Sequence, residues 1–363
     1  MSAPSNLEAV MLVGGKGTRL RPLTISAPKP MLPTAGVPFT AHQLARARDA
    51  GVRHVVLATS YRAEVFEEYF GDGSAFGLEL TYVHETEPLG TGGGIRNVAK
   101  HLRSGPDEPV LIFNGDVLSG VDLRAQVDAH ATSGADVTLH LVEVEDPRAF
   151  GVVPTDDSGR VTAFLEKTPN PPTNRINAGC YVFRRRIVDA IPAGRPVSVE
   201  RETFPGLLAE GALVRGHVDS SYWLDLGTPA AFVQGSCDLV RGRITSSALP
   251  GPVGEALLLD GAEVAADALV DGGTTLGRGV SVASGARVSS AVVFDGAEVG
   301  EGAVVERSIL GRGAVVGAGC VLSDVVLGDG VRLGARNELV AGARVFPGVE
   351  LWDAAVRFSS DQT

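Results

Sequence analysis

The sequence predicts an α/β domain with a largely parallel sheet over residues 1–245, followed by a parallel β-helix over residues 246–363. Three observations support this. Strand-like and helix-like segments alternate before residue 245, as in α/β domains. A glycine-rich stretch with several cations follows the first predicted strand, Glu8–Val13. Beyond Pro250, apolar residues recur about every six positions, a period that neither a helix nor an isolated strand produces.

The alternation predicts the elements of the first domain in order. Predicted strands are Glu8–Val13, Val52–Ala58, Leu78–His84, Val110–Phe113, Val137–Val144 and Cys180–Phe183. Predicted helices are Phe39–Ala50, Arg62–Phe70, Gly92–Leu102 and Asp122–Ala131. A hairpin is predicted between Ala149–Val152 and Val161–Lys167. Because ligands of open α/β sheets bind at the carboxyl ends of the strands, we expect the functional site at that edge.

The second domain is predicted from its repeat. The recurring apolar residues are Val264, Val270, Leu276, Val282, Val288, Val299, Val305, Leu310, Val316, Leu322, Leu327, Leu333, Leu339 and Val345. Each strand is too short to bury a face alone, so stacked coils must share one apolar core. Some steps of five residues predict shortened corners. A disordered Gly/Ala-rich tail would lack such regularly placed Val and Leu.

Composition excludes several classes of function. The chain is 44% hydrophobic and 21% charged, as in globular proteins, and no apolar run approaches the roughly 20 residues of a membrane helix. The net charge of −11 argues against a nucleic-acid surface. Met1–Glu8 has neither a basic region nor an apolar core, so we expect no signal peptide. Cys180, Cys237 and Cys320 are widely spaced, which predicts reduced thiols in a cytoplasmic protein.

The glycine-rich stretch Leu12–Leu23 reads LVGGKGTRLRPL, and Pro28–Met31 reads PKPM. Residues without Cβ atoms let backbone amides approach phosphate oxygens. Four cations accompany them: Lys16, Arg19, Arg21 and Lys29. The spacing matches neither a Walker loop nor the dinucleotide fingerprint, which needs glycine where Leu20 stands. The stretch is therefore predicted to bind a nucleoside triphosphate in another way.

This pattern, GGxGTRLxPLT followed by PKPM, resembles the signature of the sugar-1-phosphate nucleotidyltransferases, and most closely their GDP-mannose pyrophosphorylase branch. The resemblance implies a Rossmann-like nucleotidyltransferase domain and a left-handed β-helix of hexapeptide repeats, the latter mediating homo-oligomer contacts. It implies GTP and mannose 1-phosphate as substrates and GDP-mannose and pyrophosphate as products. Residues thereby assigned to the nucleotide are Leu12, Gly14, Gly15, Lys16, Gly17 and Thr18.

Two aspartates are the candidate metal ligands. Asp116 follows a strand in Asn114-Gly115-Asp116, where a carboxylate suits a magnesium ion that also binds substrate phosphates. Asp225 lies in the motif Tyr222–Pro229. The resemblance implies that the two together hold a catalytic Mg²⁺. Asp116 alone also fits a turn-capping role.

The segment Glu85–Gly94 surrounds the base in the proteins resembled. Guanine offers hydrogen-bond donors at N1 and N2, so the carboxylate of Glu85 suits guanine better than uracil or thymine. Gly90 and Thr91 are assigned to the same nucleotide site. The alternatives are that Glu85 is a solvated loop charge and that the glycines merely begin a helix.

Two further segments resemble the sugar-phosphate segments of the family. Phe150-Gly151-Val152 resembles YGV, and Phe164–Lys167 resembles FxEKP, with Thr168 in place of the proline. The resemblance implies that Lys167 binds the sugar phosphate and that Gly151, Glu166 and Asn177 line the sugar. An adjacent Glu-Lys pair is also common on surfaces, and Asn177-Ala178-Gly179 also fits an ordinary turn.

The implied reaction is attack of the sugar phosphate on the α-phosphorus of GTP. A phosphate monoester is largely ionised at neutral pH, its second pKa being about 6, so no general base is needed. Catalysis then depends on charge neutralisation and alignment by Mg²⁺ with Arg19, Lys29 and Lys167. Alternatives are a heptose 1-phosphate guanylyltransferase, a glucose 1-phosphate enzyme using UTP, dTTP or ATP, and a non-catalytic sugar-nucleotide sensor. An acyltransferase is disfavoured because no histidine follows His217.

Overall fold

The computed structural model describes residues 7–357, so most of the segment examined for a signal peptide lies outside it. The chain forms two compact units, and each is discontinuous in sequence. The first unit contains the segment that ends at Gly15 together with Gln43–Trp223. The second contains Lys16–His42 together with the segment that begins at Leu224.

The elements that precede the β-helix follow the predicted order. The strands are β1 Leu7–Leu12, β2 Pro33–Thr34, β3 Val37–Pro38, β4 Val52–Thr59, β5 Glu79–His84, β6 Pro109–Asn114, β7 Val117–Ser119, β8 Val137–Glu143, β9 Gly151–Val152, β10 Leu165–Glu166, β11 Arg175–Arg184, β12 Val214–Val218 and β13 Trp223–Asp225. The α-helices are α1 Phe39–Asp49, α2 Glu64–Phe70, α3 Gly90–Val98, α4 Leu123–Ser133, α5 Arg185–Ala190, α6 Phe204–Ala209 and α7 Pro229–Val240. Short 3₁₀ helices are Thr18–Leu20, Leu23–Ile25, Lys29–Met31, Ser74–Phe76, Ala99–His101 and Pro147–Ala149, and Val199–Thr203 forms a π-helical turn. Over residues 7–357, none of the helices combines the length and the apolar character needed to span a bilayer.

The first unit is built on one mixed sheet in the order β10-β9-β11-β6-β1-β4-β5. Strand β8 also pairs with β11, and β12 pairs with β8. Strands β6, β1, β4 and β5 run parallel, which confirms the predicted α/β class. Strand β11 runs antiparallel to both β6 and β8. The central strands of the sheet carry apolar side chains on both faces because helices cover the sheet. Val10, Ile112 and Tyr181 are completely buried.

Strand β11 corrects the sequence prediction at one site. The predicted strand covers only Cys180–Phe183, and the sequence leaves an ordinary turn open as one alternative for residues 177–179. The observed strand begins at Arg175, and its pairing with β8 shifts register between Asn177 and Tyr181. The tripeptide therefore forms an irregularity inside a strand, where Gly179 adopts a left-handed φ of +76°.

The second unit contains the predicted β-helix. Its strands are Ala256–Leu258, Glu263–Val264, Leu269–Asp271, Thr274–Leu276, Ser281–Val282, Arg287–Ser289, Val292–Val293, Glu298–Val299, Val304–Glu306, Ile309–Leu310, Val315–Val316, Val321–Ser323, Val326–Leu327, Arg332–Leu333, Glu338–Leu339, Arg344–Val345 and Glu350–Leu351. They form three parallel sheets, as the repeat predicts. Val264 pairs with Val282, 18 residues later, and Val282 pairs with Val299, 17 residues later, because one corner is shortened.

The segment Lys16–His42 packs within the second unit. Leu20 and Leu23, from the glycine-rich stretch, share a buried cluster with Phe232 of α7 and with Phe294 and Ile309 of the β-helix. The predicted domain boundary at residue 245 divides the chain by sequence order alone, and it stays a prediction. The compact units divide the chain differently, because the apolar residues of this early segment are buried against later ones.

Candidate active site

The first half of the glycine-rich loop continues from the carboxyl end of β1. Gly15 has a φ of +104°, which L side chains rarely adopt, and its amide donates to Ser60 Oγ at 3.2 Å. A Cβ atom on Gly14 would lie 2.9 Å from the same Ser60 Oγ. The two glycines therefore allow the loop to fold closely over the end of β4, which stops at Thr59.

The turn that carries Asp116 is fixed to the end of β1. The amide of Gly115 donates to the carbonyl of Leu12 at 2.9 Å, and a Cβ atom on Gly115 would overlap that carbonyl. The side-chain amide of Gln43 spans the turn, because its Nε2 donates to the carbonyls of Asn114 at 2.9 Å and Val117 at 3.2 Å. The half-buried Asp116 is therefore held beside the start of the glycine-rich loop.

Glu85 lies in a restricted pocket at the end of β5. A Cβ atom on Gly94 would be 2.7 Å from Glu85 Oε1 and 3.5 Å from Leu12 Cδ2, so the absence of a side chain there makes room for the carboxylate. Burial raises the pKa of Glu85, and a hydrogen bond from the backbone of Leu89 opposes this only in part. Glu87, in contrast, is exposed. The solvated-charge interpretation thus suits Glu87 better than Glu85.

The glycines that follow are needed for packing. Gly90 has a φ of +70°, and a Cβ atom there would lie 2.6 Å from the carbonyl oxygen of Val197. That carbonyl accepts from the amide of Gly92 at 2.8 Å. Thr91 Oγ1 donates to Glu200 Oε2 at 2.8 Å and accepts from the amide of Val199. The side chain of Thr91 is engaged within the protein, so its backbone is the part left to face a nucleotide.

The two predicted sugar-phosphate segments pair with each other. Glu166 of β10 lies opposite Gly151 of β9 in antiparallel register, and a Cβ atom on Gly151 would lie 2.8 Å from the ring of Phe164. Lys167 has a left-handed φ of +53° and a side chain that is 63% exposed, with Nζ 3.9 Å from Glu166 Oε1. The predicted hairpin is confirmed, and it presents an accessible cation beside a partly shielded carboxylate.

Asn177 is fixed within the irregular part of β11. Its Nδ2 donates to Tyr181 Oη at 2.8 Å, and its Oδ1 accepts from the amide of Gly179 at 3.1 Å. Tyr181 is completely buried. The carboxamide is thus held in one orientation, a requirement for a group that recognises a sugar hydroxyl.

The second half of the glycine-rich loop belongs to the second unit. Gly17 has a φ of +55°, and its carbonyl accepts from the Thr24 hydroxyl at 2.9 Å. A Cβ atom on Gly17 would lie 2.9 Å from Lys29 Cβ, so this glycine brings the two basic motifs together. Lys16 and Thr18 on either side are exposed.

Asp225 lies between two cations of the same unit. Its Oδ2 is 3.8 Å from Arg19 Nη2, and its Oδ1 is 3.9 Å from Lys29 Nζ. The Arg19 side chain is 64% exposed, whereas that of Lys29 is 12% exposed. A Cβ atom on Gly227 would meet the Arg19 guanidinium, with its Cζ at 2.7 Å. The guanidinium therefore lies across the backbone just after Asp225.

These features allow the chain to be compared with known proteins. Residues 8–242 match the nucleotidyl transferase family model, and residues 253–357 match the model of the GMPPB C-terminal domain. The chain belongs to the nucleotidyl transferase family. Its glycine-rich loop and basic residues are therefore those of an enzyme that transfers nucleotidyl groups.

Curated relatives are similar over most of the chain. A Mycobacterium tuberculosis protein named mannose-1-phosphate guanylyltransferase is 61% identical, and the alignment covers 99% of each chain. The Drosophila pseudoobscura pseudoobscura mannose-1-phosphate guanylyltransferase catalytic subunit beta is 38% identical, over 76% of this chain and 71% of its own. Among solved structures, HddC from Yersinia pseudotuberculosis complexed with GMP-PN is 27% identical with a TM-score of 0.54. That match covers 63% of this chain and 98% of HddC.

Nucleotidyl transferases of this family generally use a divalent metal. Within residues 7–357, no group of three or more His, Cys, Asp or Glu side chains is arranged to hold a metal ion. A cation that takes one or two carboxylates and completes its shell with phosphate oxygens and water does not need such a group. Asp116 and Asp225 each carry a carboxylate, so the chemistry of either side chain suits a hard divalent cation.

The histidines and cysteines fit structural roles. Burial lowers the pKa of His42 and His130 to about 4 and that of His140 to about 3, so all three are neutral at pH 7. Burial also raises the pKa of the free thiols Cys180 and Cys237 to about 12. These groups do not suit acid–base or nucleophilic roles near neutral pH.

Sequence reasoning missed the residues that support the loops. Ser60, Gln43 and Glu200 hold the phosphate loop, the aspartate turn and the Thr91 segment respectively. Ser60 lies just beyond the predicted strand Val52–Ala58, so its position was a usable signal. Gln43 and Glu200 act on segments that are distant in sequence, and no local pattern identifies them.

Proposed function

We propose that this nucleotidyl transferase transfers a guanylyl group from GTP to mannose 1-phosphate, giving GDP-mannose and pyrophosphate. The observation that carries the proposal is the 61% identity, over 99% of both chains, to a protein named mannose-1-phosphate guanylyltransferase. The half-buried carboxylate of Glu85 supports guanine as the base. Its two oxygens accept hydrogen bonds, and guanine presents two donors on one edge.

The nucleotide is recognised along the edge of the first unit. Leu12, Gly14 and Gly15 supply backbone at the carboxyl end of β1, and the backbone of Gly90 and Thr91 lines the base and ribose. Burial strengthens a hydrogen bond from guanine to Glu85, because the pocket has a lower dielectric than water. The raised pKa of Glu85 supports this role, since its charge is only partly compensated, by the backbone of Leu89, before the base binds.

The triphosphate is neutralised by cations of the basic motifs. The exposed Arg19 and Lys16 act on the departing pyrophosphate, while Gly17 and Thr18 contribute backbone. Lys29, more buried, acts on the α-phosphate region, where charge accumulates as the second anion approaches. Preorganised cations of this kind stabilise the transition state without moving during the reaction.

The sugar phosphate is held by the β9–β10 hairpin and by β11. Lys167 binds the attacking phosphate. Beside Gly151, Glu166 accepts hydrogen bonds from the sugar hydroxyls and Asn177 donates to them. The phosphate is already ionised near neutral pH, since its second pKa is about 6, so this chain supplies no general base. Its contribution is to align the phosphate oxygen with the α-phosphorus.

We propose Mg²⁺ as the divalent cation and Asp116 and Asp225 as its ligands, from the resemblance and from the local setting of each carboxylate. When bound, Mg²⁺ supplies charge neutralisation at the phosphates. Arg19 and Lys29 lie near Asp225, so cations and carboxylate would act together on a bound triphosphate. Titrating Mg²⁺, Mn²⁺ and Ca²⁺ in the activity assay tests which cation the reaction requires.

A pyrophosphate-release panel tests the proposal. Purified full-length chain is mixed with GTP, ATP, UTP or dTTP and with mannose, glucose or heptose 1-phosphate. The expected result is the highest kcat/KM for GTP with mannose 1-phosphate. A preference for another pair would assign one of the alternative transferases. Tight GTP binding without product from any pair would instead favour the non-catalytic sensor.

The oligomeric state and the cellular location of the protein are also proposals. We infer a homo-oligomer whose contacts are made by the β-helix, since three short-stranded sheets present long regular faces; light scattering on the full chain tests it. We infer a cytoplasmic location, where reduced thiols such as the buried Cys180, Cys237 and Cys320 are stable.

A further inference from the structure

The β-helix contributes a side chain to the phosphate loop. Arg344, in the strand Arg344–Val345, donates from Nη1 to two carbonyls of the loop, that of Arg19 at 2.8 Å and that of Arg21 at 2.9 Å. All three residues belong to the second compact unit. More than 300 residues separate the donor from its acceptors in sequence.

One of the two carbonyls lies within a single turn, and the other belongs to the residue that directly follows it. Thr18–Leu20 is a 3₁₀ helix in which the amide of Arg21 donates to the carbonyl of Thr18 at 3.2 Å. The two hydrogen bonds of Arg344 hold the peptide group between Arg19 and Leu20 and the one between Arg21 and Pro22. Since the direction of a side chain depends on its backbone, these bonds limit where the Arg19 guanidinium points.

Arg19 needs such support because its own side chain is weakly held. It is 64% exposed, and its ion pair with Asp225 is long, at 3.8 Å. Below the turn, Leu20 is packed against the β-helix cluster that contains Phe294 and Ile309. The β-helix therefore provides both the apolar floor of the turn and the hydrogen bonds that fix its carbonyls.

We propose that Arg344 is a positioning residue for the nucleotidyl transfer, acting through Arg19. The inference rests on the proposed role of Arg19 at the pyrophosphate. It assigns the β-helix a part in catalysis in addition to assembly. Charge alone does not explain the contact, because Nη1 donates a directed hydrogen bond to each of two carbonyls.

Kinetics of full-length variants test the proposal. Arg344→Met keeps the length of the side chain and removes its donors, and we expect kcat/KM for GTP to fall about tenfold, with Arg344→Lys intermediate. In an Arg19→Ala background, Arg344→Met is expected to have little further effect. The matched control is Arg332→Met, an exposed arginine on a different sheet of the β-helix, expected to remain within about twofold of wild type.

Two results would overturn the proposal. One is an unchanged kcat/KM in Arg344→Met; the other is a full tenfold loss that persists when Arg19 is already alanine. Hydrogen exchange of the peptide covering residues 16–24 gives a readout independent of activity. Faster exchange in Arg344→Met than in Arg332→Met is expected, and equal exchange in the two variants counts against a role of Arg344 in ordering the turn. If the wild-type chain makes no nucleotide sugar, the proposed function fails, and exchange still decides whether Arg344 orders the turn.

Discussion

The substitution Gly115→Ala should move the turn that carries Asp116 away from the start of the glycine-rich loop. An added Cβ atom would overlap the carbonyl of Leu12 and lie 3.1 Å from Val13 Cα, whereas unstrained contacts begin near 3.4 Å. Relief requires the turn and the end of β1 to move apart on the order of 1 Å, a displacement that can lower turnover about 100-fold. The 2.9 Å hydrogen bond between Gly115 and Leu12 would be lost as well.

The stability cost follows from the same two contacts. Losing the hydrogen bond costs about 1 kcal/mol, and overpacking adds about 1–3 kcal/mol. Pyrophosphate release at saturating substrates gives kcat, and urea unfolding gives the free energy of unfolding. Gly105→Ala is the matched control, because its added Cβ atom would have its nearest contact at an ordinary 3.7 Å. A folded Gly115→Ala enzyme with wild-type kcat would refute the argument that this turn places Asp116.

Three other predictions concern single contacts. Glu85→Gln should raise KM for GTP at least tenfold, because a charged acceptor contributes about 1.5–3 kcal/mol to a hydrogen bond. The pKa of Glu85 is raised, so wild-type kcat/KM for GTP should decline on acidification at a higher pH than for an ordinary glutamate, and the variant should lack this decline. Gly227→Ala should displace the flexible guanidinium of Arg19, lowering kcat while leaving thermal stability nearly unchanged. Glu8→Gln should lower the free energy of unfolding by about 3 kcal/mol in urea titrations, since the buried carboxylate accepts from His54 at 2.6 Å and from two backbone amides.

Each of these has its own control. Glu87→Gln, on the same loop as Glu85 but exposed, should leave KM for GTP unchanged; an equal rise in both would point to loop charge alone. An unaltered kcat in Gly227→Ala would remove Arg19 from the mechanism. For Glu8, burial raises the pKa but the hydrogen bonds together lower it. Its stabilisation is present above the unfolded pKa near 4.5 and is lost as the pH falls through the lower folded value. The stability gap to Glu8→Gln should therefore narrow in acid.

Local patterns were sufficient to predict most elements. The strand-loop order placed Asp116 and the glycine-rich loop at one edge of the sheet, because parallel strands end on the same side. The six-residue repeat predicted a parallel β-helix, since only a coil returns the same side chain to the core at that interval. Both predictions depend on periodicity and on the special backbone of glycine, which can be read from the sequence.

Other features depend on residues that meet only after folding. The sequence assigned Asn177 to the sugar site and left an ordinary turn as the alternative, whereas pairing with β8 places Asn177 within a strand. The glycines at positions 90 and 94 have functions set by Val197 and Glu85, the residues their missing side chains accommodate. Nothing near Arg344 in the sequence indicates its bonds to the phosphate loop.

By itself, the sequence determined the two kinds of architecture, the position of the phosphate loop and the family to which the chain belongs, because these are written in local spacing and composition. Tertiary structure alone decided that residues 16–42 pack with the β-helix and that the loop is held by side chains from distant segments. The physical reason is that close approach, burial and hydrogen bonding between remote residues are properties of the folded chain, and no short stretch of sequence contains both partners.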